Sequence, residues 1–312
     1  MVINHLVAAQ LSDGRVQLWA SRDHTAGAWS LWKTDVDPDS SWTGWQQFAF
    51  DTPRTVVVGA GVLSNGAIQV FGLAAMPAWP VANVSMRKVS DDPNAQWAGT
   101  GLGFDGNCTD ITAQQLSDGR LQIFALSQAT MGGSSRLLSR WQLEPAWDAP
   151  LSAVADMNVG RGLSSIVALR LPDRRIQLIG GTNDGLLSTW KATTDPNAAW
   201  LPWTAFQSTP PVSSTTQLAW APLPDGRPQV WSVNRFGDMH STWKTTEDSN
   251  SAWVPWSTFE APANVVAFAA EPLSDGRIQL WAADRDGAMY STWKKSTDPN
   301  AEWLPWEPFP VP

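Results

Sequence analysis

A nine-residue segment recurs six times along the chain at nearly constant spacing. The copies read LSDGRVQLW, LSNGAIQVF, LSDGRLQIF, LPDRRIQLI, LPDGRPQVW and LSDGRIQLW, and they begin at Leu11, Leu63, Leu116, Leu171, Leu223 and Leu273. Successive copies start 52, 53, 55, 52 and 50 residues apart, so six units account for all 312 residues. A repeat of this length is typical of solenoids, propellers and similar arrays, and it restricts the fold more than chain length does.

Each unit has the pattern of four short strands separated by turns. In the last copy, the apolar residues 265–273 precede Ser274-Asp275-Gly276, which is a tight hairpin signal. Residues 277–282 then alternate between apolar and polar, which predicts a second strand. A turn at 284–287 precedes a third predicted strand at 289–294, and the turn Asp298-Pro299 precedes a fourth.

Six such units predict an all-β, six-bladed propeller with four antiparallel strands per blade. No segment shows helical periodicity, which excludes a helical solenoid. We expect one domain over residues 1–312, with approximate repeats at 1–52, 53–106, 107–159, 160–211, 212–262 and 263–312. Strands are predicted at both ends of the chain, at 3–11 and 302–309. Two closures therefore remain open: six contiguous blades, or a ring closed by exchange of a terminal strand.

Composition argues against several functional classes. The net charge is −8, and a nucleic-acid backbone requires a basic surface, so no nucleic-acid partner is expected. One cysteine, Cys108, and three histidines provide neither a disulfide framework nor a His-rich metal site, and no cofactor is expected. No window is apolar enough for a membrane span, and residues 1–10 lack a signal-peptide pattern. We therefore expect cytoplasmic synthesis, with any extracellular action following release by a non-classical route.

Tryptophan is unusually frequent, with 21 residues, and most of these occupy fixed places in the repeat. Many will pack between blades, and the late Trp-x-x-Trp pairs followed by Phe are the best candidates for pure core. Others could serve as platforms for the apolar face of a sugar ring. The best candidates combine the second-strand aromatic with a third-strand Trp-Lys. These are Trp19, Trp32 and Lys33; Trp190 and Lys191; Trp231, Trp243 and Lys244; and Trp281, Trp293 and Lys294.

The run at residues 275–309, DGRIQLWAADRDGAMYSTWKKSTDPNAEWLPWEPF, resembles the repeat of the bacterial Photorhabdus-type lectins and is related in style to the tectonins. The resemblance extends through all six copies. It implies a sugar-binding propeller with several sites on or between blades, often in an oligomer, that recognises fucose-like, galactose-like or methylated sugars. Those lectins commonly have seven blades, whereas this chain has six copies. Copies two and three have lost part of the tryptophan pattern, including the third-strand indole that becomes Arg87.

The function predicted from these observations is a multivalent, non-catalytic lectin whose partners are glycans or glycoconjugates. If the indole and its lysine make the site, about three or four sites per chain are expected. A protein-interaction scaffold and, less favoured, a propeller enzyme such as a glycosidase are the alternatives. No catalytic residue is predicted, because the single Tyr290 occupies a variable position of the repeat and no Ser-His-Asp order is present.

Overall fold

The structure, a computed structural model, is a ring of six four-stranded antiparallel sheets. It describes residues 2–22, 27–50, 54–74, 82–105, 107–128, 135–207 and 215–312. Within those ranges every regular element is a strand or a bridge, and no helix is long and apolar enough to cross a membrane. The prediction of a six-bladed all-β propeller is confirmed.

The first strand of each blade lines the ring axis, and the second lies next to it. The inner strands are β1 (His5–Gln10), β5 (Thr55–Val62), β9 (Asn107–Gln115), β13 (Ser165–Arg170), β17 (Thr215–Pro222) and β21 (Val265–Pro272). The second strands are β2 (Val16–Ser21), β6 (Ile68–Ala74), β10 (Leu121–Gln128), β14 (Ile176–Thr182), β18 (Pro228–Asn234) and β22 (Ile278–Asp284).

The third and fourth strands form the outer part of each blade. The third strands are β3 (Ala28–Trp32), β7 (Ala82–Lys88), β11 (Arg136–Trp141), β15 (Gly185–Trp190), β19 (Met239–Trp243) and β23 (Met289–Trp293). The fourth strands are β4 (Gln46–Phe48), β8 (Trp97–Gly101), β12 (Ala155–Asp156), β16 (Thr204–Ala205), β20 (Ser257–Phe259) and β24 (Glu307–Phe309). The last of these is shorter than predicted, because Trp303 joins Lys294 only through an isolated bridge and Pro305 has no backbone N–H to extend the pairing.

Every blade is built from four consecutive strands, so no strand is exchanged between the ends of the chain. Inner strand β1 contacts both β5 and β21, which closes the ring. Side chains join the first and last blades as well. The Trp45 indole Nε1 donates to the Pro310 carbonyl at 3.0 Å, and the Gln10 backbone N–H donates to Glu271 at 3.0 Å. Of the two closures left open by the sequence, the structure has the contiguous one.

The turn between the first and second strands also connects neighbouring blades. In blade six, Arg277 forms an ion pair with Asp275 of its own turn at 2.5 Å and with Asp39 of blade one at 3.0 Å. Arg175 of blade four similarly donates to Asn250 of blade five at 2.8 Å. In blades three, four and six, the arginine of this turn therefore supports a hairpin and also attaches it to the loop between strands three and four of the next blade.

Candidate functional site

The second-strand indoles lie inside the interfaces between blades. Trp19, Trp231 and Trp281 are each 0 % exposed. Trp281 of blade six packs edge-to-face on Trp42 of blade one, with ring centroids 5.7 Å apart. These three side chains were candidates for sugar platforms, but in the structure they present no ring face to solvent. They fill the wedge between adjacent sheets.

The candidate lysines bind backbone carbonyls of a loop. Lys294 is 3 % exposed, and its Nζ donates to the carbonyls of Pro299 and Ala301 at 2.9 and 3.2 Å. It also lies 5.2 Å from the ring centroid of Trp303. The same contacts are made by Lys33, Lys191 and Lys244. Each lysine thus holds the loop between strands three and four, and burial lowers its pKa, for Lys244 to about 8.

The third-strand indoles are only partly buried, and they differ in this from the second-strand ones. Trp32, Trp190, Trp243 and Trp293 all keep some exposure. In blade six, Trp293 pairs with Gln279 across the sheet, whereas Trp281 pairs with Ser291. All four side chains share one face, which meets the next blade. Of the predicted residues, the third-strand indoles are therefore the most exposed.

The interface between blades four and five contains a pocket of about 420 Å³. Blade four contributes Trp190, Gln177 and Ser188, and blade five contributes Lys244 and Trp253. Gln177 Nε2 donates to the Ser188 hydroxyl at 2.8 Å, which fixes the position of both side chains. The predicted combination of an indole and a lysine does occur here, but the indole comes from one blade and the lysine from the next.

A change in the repeat accompanies this pocket. At the second-strand aromatic position, blade four has Ile179, whereas the other five blades have Trp or Phe. The equivalent aromatic packs on the first late indole of the next blade elsewhere, as Trp231 does on Trp303 at 6.0 Å and Phe124 does on Trp200 at 5.7 Å. Ile179 offers Trp253 no aromatic ring, and Trp253 packs instead on Phe206 at 5.2 Å. Ile179 itself is fully buried in the cluster that packs against Trp253 and does not line the pocket.

The late indoles pack across interfaces, although they are not pure core. Trp42, Trp200, Trp253 and Trp303 remain partly exposed, and so do the second members of the pairs, Trp45, Trp203, Trp256 and Trp306. Trp306 Nε1 donates to the Glu260 carbonyl of the preceding blade at 2.8 Å. The equivalent nitrogen of Trp256 has no partner among the described residues, which is a second difference at the interface between blades four and five.

The ring axis holds the larger cavity, of about 570 Å³, lined by all six inner strands. Two carboxyls lie in its wall. Asp110 accepts from the Ile166 backbone N–H at 3.0 Å, and burial raises its pKa to about 7. Glu271 accepts from Gln10, and burial raises its pKa to about 8.

These carboxyls do not form a glycosidase pair. They belong to blades three and six, on opposite sides of the ring, and they lie at repeat positions four residues apart. Four residues of strand correspond to roughly 13 Å along the axis. A glycosidase requires about 5 to 10 Å between its carboxyls. The two groups instead join inner strands of neighbouring blades.

Two other side chains that could react, those of Cys108 and Tyr290, also make contacts within the fold. Cys108 is buried, its thiol contacts Asn83, and burial raises its pKa to about 11. The Tyr290 hydroxyl donates to Asp284 at 3.3 Å. Among the described residues, no group of three or more His, Cys, Asp or Glu side chains could hold a metal ion.

Comparison with known proteins identifies the fold. No protein-family model matches the sequence, and no curated protein matches it. Solved structures do match. The fucose-recognising, six-bladed lectin of the fungus Aleuria aurantia superimposes with a TM-score of 0.67 at 11 % identity, covering 98 % of this chain and 94 % of the lectin.

Two further structures are similar to this chain over most of its length. The AofleA protein of Arthrobotrys oligospora matches with a TM-score of 0.66 at 9 % identity, covering 100 % of this chain and 88 % of AofleA. The Hadza microbial sialidase Hz136 matches with a TM-score of 0.62 at 11 % identity, covering 90 % of this chain and 63 % of the sialidase. At identities this low, the likeness shows a shared fold and nothing finer.

Proposed function

We propose that the protein is a carbohydrate-binding lectin and that its principal site is the pocket between blades four and five. The observation that carries the proposal is the placement of two partly exposed indoles, Trp190 and Trp253, around one cavity of about 420 Å³. Indole rings bind the apolar faces of sugar rings, and the volume suits a small ligand. The likeness in fold to a fucose-recognising lectin supports the same proposal.

The lining favours sugars with an apolar substituent. Three aromatic rings, those of Trp190, Phe206 and Trp253, line the pocket, and its cation is already engaged, because Lys244 Nζ binds the carbonyls of Ser249 and Ser251. A 6-deoxy or O-methylated sugar exposes a methyl group that gains free energy by leaving water, about 0.8 kcal/mol for each buried carbon. We therefore propose fucose-like or methylated sugars over fully hydroxylated ones. The partly exposed indoles of blades one, five and six are proposed as weaker additional sites, which would make the ring multivalent.

The decisive variant is Ile179→Phe, because it restores the aromatic residue that blades two and three have at this position. Ile179 is buried in the cluster that packs against Trp253, so we expect the added ring to displace that indole and to weaken sugar binding at least tenfold, which corresponds to about 1.4 kcal/mol. A larger side chain at this fully buried position should also cost about 1–3 kcal/mol of stability, so the affinity is measured on the folded variant. A glycan array finds the sugar, and calorimetric titration of the best one measures the affinity.

Trp190→Ala and Trp293→Ala form a matched pair for the same test. Both replace a partly exposed third-strand indole, but at the interface beyond Trp293 the buried Trp281 occupies the wedge. We expect Trp190→Ala to abolish the tightest binding and Trp293→Ala to leave it. Equal losses in both, or tight binding retained in Ile179→Phe, would contradict the assignment of the principal site. A blank glycan array together with recovery of one specific protein partner would favour a scaffold instead.

A further inference from the structure

The axial cavity departs from the sixfold pattern at two adjacent blades. Three residues before the leucine that starts each repeated segment, the inner strands carry alanine in five blades and Trp220 in blade five. The alanines are Ala8, Ala60, Ala113, Ala168 and Ala270. Trp220 lines the cavity and is only partly buried. The ring is built with a small residue at this position, so the indole at blade five is not a requirement of the fold.

The second departure is a charge. One residue before the same leucine, blade four has Arg170, whereas the other blades have uncharged residues at that position. Those residues are Gln10, Val62, Gln115, Pro222 and Pro272, and all of them line the cavity. Burial and the nearby Arg174 lower the pKa of Arg170 from its usual value. Within the described ranges, the Arg170 guanidinium has neither a hydrogen-bond acceptor nor an ion-pair partner.

The two carboxyls of the cavity do not neutralise this guanidinium. Glu271 and Asp110 each accept a hydrogen bond from a backbone N–H of the neighbouring blade, and burial favours their neutral forms. Arg170 thus presents five N–H donors to a partly desolvated space without a matching acceptor. A guanidinium in such surroundings binds carboxylate or phosphate through paired hydrogen bonds.

Arg170 and Trp220 belong to neighbouring inner strands, and their repeat positions differ by two residues, roughly 7 Å along the axis. We propose that this end of the axial cavity is a second ligand site, distinct from the blade interfaces, which binds a small ring compound carrying a carboxylate or phosphate. The oxyanion pairs with Arg170, and the ring packs on Trp220. The cavity volume of about 570 Å³ lies within the range of small-molecule sites.

The test uses anionic probes and their neutral counterparts on the intact chain. Benzoate is compared with benzyl alcohol, glucuronate with glucose, and phenyl phosphate with phenol, each by calorimetric titration or ligand-observed NMR. We expect at least one anionic probe to bind about tenfold or more tightly than its neutral counterpart. The pair that shows the preference identifies the class: an aromatic acid, a sugar acid or a phosphate ester.

The variants return each residue to the sequence of its sister blades, so their folding is expected to be retained. Arg170→Gln introduces the residue of blades one and three and should remove the preference for the anion. Trp220→Ala introduces the residue of the other five blades. It should lower the affinity for all ring-containing probes severalfold and leave the preference for the anion unchanged. Arg174→Gln is the control, because it removes the same charge from an exposed turn.

Three results would overturn the proposal. In the first, the anionic probes bind no more tightly than the neutral ones. In the second, Arg174→Gln lowers the affinity for the anionic probe as much as Arg170→Gln does. In the third, binding of the anionic probe is lost in Trp190→Ala but retained in Arg170→Gln. The last would place the anion at the blade interface. If Arg170→Gln unfolds at a lower temperature than the wild type, Arg170→Lys replaces it in the test, because lysine keeps the charge but cannot form the paired hydrogen bonds. If folded Arg170→Lys loses less than about twofold in affinity for the anionic probe, the proposal is likewise contradicted.

Discussion

Replacing Trp281 by alanine should destabilise the ring strongly, because this indole fills the interface between blades six and one. Its side chain is 0 % exposed and packs at 5.7 Å and 89° on Trp42, which in turn packs on Phe309 at 5.4 Å. Removing a fully buried Trp costs about 3–5 kcal/mol. About 1 kcal/mol of this comes from the aromatic pair.

The expected shift in melting temperature follows from chain length. An unfolding entropy of about 2.1 cal/mol/K per residue gives roughly 0.65 kcal/mol/K for this chain, so a loss of about 4 kcal/mol lowers Tm by about 6 °C. Trp281→Phe should cost only about 1–2 kcal/mol, because the Trp281 Nε1 has no hydrogen-bond partner among the described residues and only volume is lost. Trp293→Ala should cost less than half as much as Trp281→Ala, since Trp293 is partly exposed.

Thermal and urea unfolding, followed by circular dichroism, measure all three variants under the same conditions. The reasoning fails if Trp281→Ala and Trp293→Ala lower Tm equally, because burial would then not determine the cost. It also fails if Trp281→Phe is as destabilising as Trp281→Ala, which would show that the indole nitrogen makes an essential hydrogen bond.

Three other predictions concern polar groups. The pKa of Glu271, about 8 when folded against an ordinary 4.5, makes the folded chain hold more protons between those values, so wild-type stability should fall as pH rises through that window. Between pH 5 and pH 8.5 the wild type should lose roughly 3–4 kcal/mol from this group, as measured by urea titration, and Glu271→Gln should lack that loss. An equal loss in the variant would contradict this. Lys294→Met should lose about 2 kcal/mol in thermal unfolding, because two charge-assisted hydrogen bonds disappear, whereas the exposed Lys295→Met should be neutral. Asp39→Asn, which removes the ion pair between blades and keeps the Arg277–Asp275 pair, should cost under about 1 kcal/mol at low salt and nothing measurable at 1 M salt, since the Asp39 side chain is 71 % exposed; a salt-independent loss would count against an ionic origin.

The fold was predictable because each copy of the repeat carries its own turn signals and alternation. Gly276, with φ of 87°, makes the hairpin that Ser-Asp-Gly indicates. At the same position of blade four, Arg174 adopts φ of 71° without a glycine, which shows that the surrounding sheet fixes this turn even when the local preference is lost. The absence of strand exchange could not be predicted, because both closures use the same strands.

The candidate site was predicted only in part, for a geometric reason. Trp293 and Lys294 are adjacent in sequence, and adjacent residues of a strand point to opposite faces of the sheet. Lys294 therefore lies over Trp303, on the face toward blade five, while Trp293 faces blade one. Indole and lysine meet only across an interface, which the pattern within one repeat cannot reveal.

Two sequence signals that mark cavities become visible only when the copies are compared position by position. Ile179 stands where the other copies have an aromatic residue, and Trp220 stands where they have alanine. The consensus of the repeat describes the framework, which every blade must supply. Departures from it at single blades are the places where the ring is free to serve a ligand. Trp220 lines the axial cavity, and Ile179 is buried in the cluster that packs against Trp253, which lines the pocket between blades four and five.

The outer strands of the blades determine how readily one ring can pair with another through exposed sheet edges. An exposed edge strand offers unpaired backbone groups to another chain, and short strands or prolines discourage such pairing. Five outer strands have only two or three residues, and β24 contains Pro308. Strand β8 of blade two is longer, with five residues from Trp97 to Gly101. Rings that associate edge to edge should therefore do so through blade two. A proline introduced into β8 should be the single substitution that most reduces self-association at high protein concentration.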